Sequence, residues 1–192
     1  NGTVLLWDIK TGITQKITGT KDKIIIDACC IDDSTFIFAR EKTKNLINLY
    51  NIQTNTTHKL TAHNADVEQI AFLPNSKQLI SNSEDGTIII WDVQTQQIAK
   101  RFKIIADNFA ITPDGTTLVI SNEKQIALIN LTTNKQQILT THSTIDNDYM
   151  TNMVFNADGT LLATHKSSDE NEEAKIQIWD MQTHMLKTTI QA

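Results

Sequence analysis

His63, Ser81, Ser83, Asp85 and Trp91 fall within one short stretch of the chain, and their types suffice for a base, a nucleophile and an orienting carboxylate. Such a set activates a serine for acyl transfer when the three groups touch. Other chemistry is sparse. The five histidines, at 58, 63, 142, 165 and 184, share no metal-ligand spacing, and neither a Cys-x-x-Cys nor a His-x-x-x-His pairing occurs, so no metal is expected. Asp146-Asn147-Asp148 begins like a calcium loop but lacks the loop glycine and the distal glutamate, which leaves a solvated turn. There is no glycine-rich phosphate loop and no Gly-x-Ser-x-Gly elbow, and no cofactor is expected. Cys29 and Cys30 are adjacent. Neighbours on a strand point to opposite faces, so a bridge between them would be strained, and reduced thiols in a cytoplasmic compartment are the plain expectation. The glycosylation pattern at Asn1, Asn55 and Asn130 is what chance supplies in a chain rich in Asn and Thr.

The 192 residues carrying these groups are 40% hydrophobic and 20% charged, with 6 Gly and 2 Pro, a composition that excludes disordered and collagen-like chains. A net charge of -5 has the wrong sign for coating nucleic acid through phosphate neutralisation. The longest apolar runs, such as Ile24 to Ile26 and Ile88 to Trp91, are strand-sized and far short of a membrane-spanning helix. The start, Asn1-Gly2-Thr3-Val4, lacks a Met and a signal-peptide pattern and reads as a cut or partial chain.

Internal repetition determines the elements. Five segments align without gaps: Trp7-Asp8-Ile9-Lys10-Thr11, Tyr50-Asn51-Ile52-Gln53-Thr54, Trp91-Asp92-Val93-Gln94-Thr95, Ile129-Asn130-Leu131-Thr132-Thr133 and Trp179-Asp180-Met181-Gln182-Thr183. Their last column is always Thr. The period of about 43 residues belongs to four-stranded propeller blades. Turn residues at Asp32-Asp33-Ser34, Pro74-Asn75-Ser76, Pro113-Asp114-Gly115 and Ala157-Asp158-Gly159 each mark a hairpin upstream of an anchor. One cycle reads in full: Val67 to Leu73, Gln78 to Ser83, Thr87 to Val93 and Gln97 to Phe102, strands a to d. No long stretch keeps helical spacing, so an all-β chain of 18 short antiparallel strands is predicted.

With Trp-Asp at 7-8, 91-92 and 179-180, Asp85-Gly86-Thr87 and the phased turns, the chain resembles the WD40-repeat family of β-propellers over essentially its whole length. It departs from the family where Gly-His reads Ala62-His63 and Thr141-His142, and where the anchors are Tyr50-Asn51 and Ile129-Asn130. The resemblance implies a WD40-type β-propeller of four-stranded antiparallel blades. About four and a half blades are expected, an incomplete arc of a larger ring: a strand c–d hairpin at 1–19 and blades at 20–61, 62–103, 104–141 and 142–192. It also implies that His63, Ser83 or Ser81, Asp85 and Trp91 form a structural network rather than a catalytic one, with His142 and Trp179 as two members in the last blade. The physics agrees, since a buried indole N–H demands a partner and a satisfied polar chain rigidifies a blade.

In that fold the d–a and b–c connections share one rim, the top. Arg40, Lys42 and Lys44 are expected in the b–c loop of the blade ending at Tyr50, and Asp169, Glu170, Glu172 and Glu173 in that of the last blade, whose d–a loop adds Asp146, Asp148 and Tyr149. This last blade alone has gained length, and insertions in repeats often map to the binding face. The expected function is a non-enzymatic scaffold presenting top loops to proteins or peptides, basic ones at the acidic loops. A regulatory repeat region of a larger multidomain protein is the second reading. An enzyme with a channel-mouth site is the third, and the inner a strands offer it only Asp27 and Glu68.

Overall fold

The computed structural model describes residues 2–20, 25–32, 35–40, 45–122, 124–141, 148–168 and 175–191, with side chains at 5–16, 45–122, 124–140, 152–165 and 175–191. Eighteen strands and no helix are present among the described residues. Strands β1 (Gly2–Trp7) and β2 (Thr14–Thr20) form a hairpin. Four antiparallel sheets follow, each built from four consecutive strands. The first holds β3 (Ile25–Asp32), β4 (Thr35–Arg40), β5 (Leu46–Asn51) and β6 (Thr56–Thr61), and the second β7 (Val67–Phe72), β8 (Gln78–Ser83), β9 (Thr87–Asp92) and β10 (Gln97–Lys103). The third holds β11 (Asn108–Ile111), β12 (Thr117–Asn122), β13 (Gln125–Asn130) and β14 (Gln136–Thr141), and the fourth β15 (Asp148–Phe155), β16 (Leu161–Ser168), β17 (Lys175–Asp180) and β18 (Met185–Gln191). Trp7, Trp91 and Trp179 lie on β1, β9 and β17, the same position in each repeat.

Burial grades across each sheet. β9 and β13 are buried on both faces, which is why they read as unbroken apolar runs, Ile88 to Trp91 and Ile126 to Ile129, rather than alternating patterns. The last strand of each sheet is an edge and is largely exposed, as in β10 and β18. Charges at Lys100, Arg101 and Lys103 discourage pairing of the β10 edge with another chain.

Contacts divide the chain into two compact units, Asn1–Phe72 with Lys77–Ile104, and Leu73–Ser76 with Ile105–Ala192. In the first, Ile47, Leu49 and Leu60 of one sheet pack with Val67, Ile70, Leu79, Ile89 and Trp91 of the next. In the second, Ala110, Val119, Ile126 and Leu128 pack with Met153, Leu162 and Trp179. Both clusters are seams between successive sheets.

The invariant Thr column has a local cause. At each turn after an anchor, the Asp or Asn carboxyl or amide oxygen accepts the Thr N–H: Asp8 from Thr11 at 3.1 Å, Asn51 from Thr54 at 2.8 Å, Asp92 from Thr95 at 2.8 Å, Asn130 from Thr133 at 2.8 Å and Asp180 from Thr183 at 2.9 Å. These are Asx turns, which the short acceptor side chain makes possible. The amides of Thr11, Thr95 and Thr183 hold the carboxyls of Asp8, Asp92 and Asp180 below the ordinary aspartate value. The residue after each Thr is left-handed: Gly12, Asn55, Gln96, Asn134 and His184.

Candidate functional site

The residues with catalytic potential meet in the second sheet. His63 stands just before β7, Ser81 on β8, Asp85 in the β8–β9 turn and Trp91 on β9. The Trp91 indole Nε1–H donates to Ser81 Oγ at 2.9 Å, and Ser81 Oγ lies 2.8 Å from His63 Nε2. On the other side of the ring, Nδ1 lies 3.1 Å from Asp85 Oδ2 and 3.2 Å from Thr87 Oγ1. Partner chemistry determines the proton positions. An ionised carboxylate only accepts, so Nδ1 carries the ring hydrogen, and Nε2 accepts the Ser81 hydroxyl. Asp85 is anchored further by the Asn64 N–H at 2.8 Å and by the Thr87 hydroxyl at 2.6 Å.

Serine, histidine and aspartate are thus in line, as they are in a hydrolase, yet the geometry disarms them. Ser81 is 0% exposed and its oxygen is held by the indole N–H of Trp91, itself 2% exposed. No substrate carbonyl can reach such a nucleophile, and attack requires an open approach. Burial pushes the His63 imidazole below its ordinary value, although hydrogen bonding and the charge of Asp85 oppose this. Burial acts to raise the Asp85 carboxyl, but the bonds from Thr87, Asn64 and His63 outweigh it and leave the group below its ordinary value.

Both folded-state values are therefore depressed. Their stabilisation is complete above the unfolded values, near pH 6.5 for His63 and 3.8 for Asp85, and is lost as pH falls through the folded ones. Asp85→Ala is expected to cost about 1 to 3 kcal/mol at neutral pH by stranding buried donors. The penalty should shrink on acidification, as paired thermal melts at neutral and acid pH would show; an undiminished penalty would contradict it.

Of the two serines considered, Ser81 and not Ser83 links His63 to Trp91. Ser83 instead donates to the Ala65 carbonyl at 3.1 Å and accepts the Asp85 N–H at 3.2 Å, so it shapes the turn. In the fourth sheet, Thr164 occupies the Ser81 position and accepts the Trp179 Nε1–H at 3.1 Å; His142 lies outside the described residues. The third sheet places Ile129 and Ile120, both buried, at the Trp and Ser positions. In the first, buried Tyr50 sends its hydroxyl to Asn55 Oδ1 at 2.6 Å.

The charged residues are placed differently from expectation. Arg40 ends β4 instead of lying in a loop, and Lys42 and Lys44 lie outside the described residues. Asp148 and Tyr149 are not in the connection but open β15, opposite Ser168 and Ser167. The ladder continues to Asp148 across a register shift between Met150 and Asn152. Asp146, Asp169, Glu170, Glu172 and Glu173 lie outside the described residues.

Residues 11–153 match the model of the Vps41-type propeller, described as the Vps42 beta-propeller. The chain is 29% identical over 125 residues to a WD repeat-containing protein 89 homolog of Dictyostelium discoideum, covering 63% of the chain and 35% of that protein. It is 24% identical over 187 residues to the target of rapamycin complex subunit LST8 of Saccharomyces cerevisiae, covering 95% of the chain and 59% of LST8. A crystal structure of the mitotic checkpoint complex contains a chain that superposes on all of this one with a TM-score of 0.79 at 18% identity, over 58% of its own length. The chain therefore spans between about a third and three-fifths of these three proteins. With its repeated four-stranded sheets, its Asx turns and its buried Trp anchors, it belongs to the Vps41-type β-propeller family and is a WD40-repeat propeller.

Proposed function

We propose that the chain is part of a non-enzymatic interaction scaffold that docks a basic peptide, or a Lys- and Arg-rich protein surface, at the b–c end of the fourth sheet. The carrying observation is register: Asp148 pairs with Ser168, and Lys166 with Lys175. Asp148, Ser168 and Lys175 thus stand at one end of the sheet, and the sequence that adjoins them, 142–147 and 169–174, adds carboxylates at 146, 169, 170, 172 and 173 to that of Asp148. A run of like charges favours a cationic partner, and complementary charge speeds encounter. Relatives named as subunits of target of rapamycin complexes support a role in protein assembly. The sealed Ser81 gives the enzyme reading no support. A cytoplasmic setting is the companion proposal, supported by the adjacent Cys29 and Cys30; no helix of the described residues is long and apolar enough to cross a membrane.

The test uses the full-length protein and a labelled Lys- and Arg-rich peptide. Reversing Glu170, Glu172 and Glu173 to Lys should weaken binding at least about tenfold at low salt, and salt near 0.1 M should weaken the unaltered protein's binding because charges are screened over about 10 Å. Unchanged affinity and unchanged salt sensitivity in the reversed variant would remove this loop as the site.

A further inference from the structure

The opposite end of the last two sheets holds a cleft with a lysine on its border. A cleft of about 390 Å³ opens where the a–b and c–d turns of the third and fourth sheets meet. Leu128 and Met181 supply an apolar lining, and both belong to the seam that buries Trp179. The polar part of the lining is rich in donors. Lys135, Gln136, Gln137 and His184 border the cleft, and no Asp or Glu does. Among the described residues no carboxylate lies within ion-pair distance of the exposed Lys135. The Gln137 amide nitrogen lies 2.8 Å from His184 Nδ1. An amide N–H₂ only donates, so Nδ1 accepts and the other ring nitrogen carries the hydrogen, as a donor. An unpaired cation and an N–H donor beside an apolar lining are rare company in a chain whose net charge is -5.

The geometry points to a binding site for a short peptide segment in which a carboxylate lies next to aliphatic side chains. The volume is in the range of sites that enclose small ligands; the aliphatic groups cover Leu128 and Met181 and the carboxylate takes Lys135 and His184. The occupant is thus the reverse in charge of the one proposed for the acidic connections, at the other end of the same sheets. His184 holds its place through a left-handed backbone, φ 58°, a conformation that Asn also accepts readily.

The experiment titrates full-length protein into a fluorescein-labelled peptide, Gly-Ser-Leu-Glu-Leu-Ser-Gly, and reads anisotropy. Saturable binding with a Kd on the order of 100 µM is expected. Replacing the peptide's Glu by Lys should abolish binding, and replacing both Leu by Ser should weaken it about tenfold. Lys135→Glu, at an exposed position that leaves the fold intact, should weaken binding about tenfold, and His184→Asn several-fold. The protein with Glu170, Glu172 and Glu173 reversed should bind this peptide as before, which separates this site from the acidic one. The inference is overturned if no binding is seen at 1 mM protein, if the Lys peptide binds equally well, or if Lys135→Glu binds unchanged.

Discussion

Trp91→Ala should destabilise this chain by about 3 to 5 kcal/mol. Trp91 is 2% exposed and is covered by Ile47, Leu49 and Leu60 of the preceding sheet, so its removal opens a cavity that β strands cannot close, and it also takes the N–H donor from Ser81. Urea unfolding measures the change, and a loss below about 1 kcal/mol would refute this account of the anchor.

Gly115→Ala is expected to cost about 2 to 5 kcal/mol, the sum of a left-handed backbone penalty and a steric one. Gly115 has φ +73°, and a Cβ added there would lie 2.8 Å from the Pro74 carbonyl oxygen. That neighbour is backbone, held in a turn in which the Ser76 N–H and hydroxyl both reach the Leu73 carbonyl, so it cannot swing aside. Gly12 gives the control: its φ is +72° but nothing lies within 4 Å of the added carbon. Gly12→Ala should therefore carry only the conformational part, about 1 to 2 kcal/mol. Thermal melts of the two variants should separate by the steric contribution, and coincident melts would show that the Pro74 turn yields freely.

Much of this was legible in the residues themselves because its causes are local. A Trp-Asp or Tyr-Asn pair followed by Thr three positions after the acid or amide specifies an Asx turn from its own side-chain reach, so the Thr column located the hairpins. Unbroken apolar runs such as Ile88 to Trp91 are of strand length, and the structure buries that strand on both faces. Strand order followed, because each sheet is built from neighbours in the chain.

Other features required contacts between segments far apart in the chain. Ser81 and Ser83 have the same parity on β8, so periodicity cannot choose between them; Ser81 is used because it pairs opposite Ile89, within diagonal reach of Trp91, while Ser83 sits at the strand end opposite Thr87. Asp148 and Tyr149 read as loop residues in the sequence but stand on β15, because their pairing with Ser168 and Ser167 belongs to two strands and not to one. The residues alone determined the repeat, the turns and the strands, since these depend on interactions within a few positions. The tertiary structure decided which serine is sealed and where, among the described residues, Lys135 stands without a carboxylate, because burial and pairing depend on what the rest of the chain brings alongside.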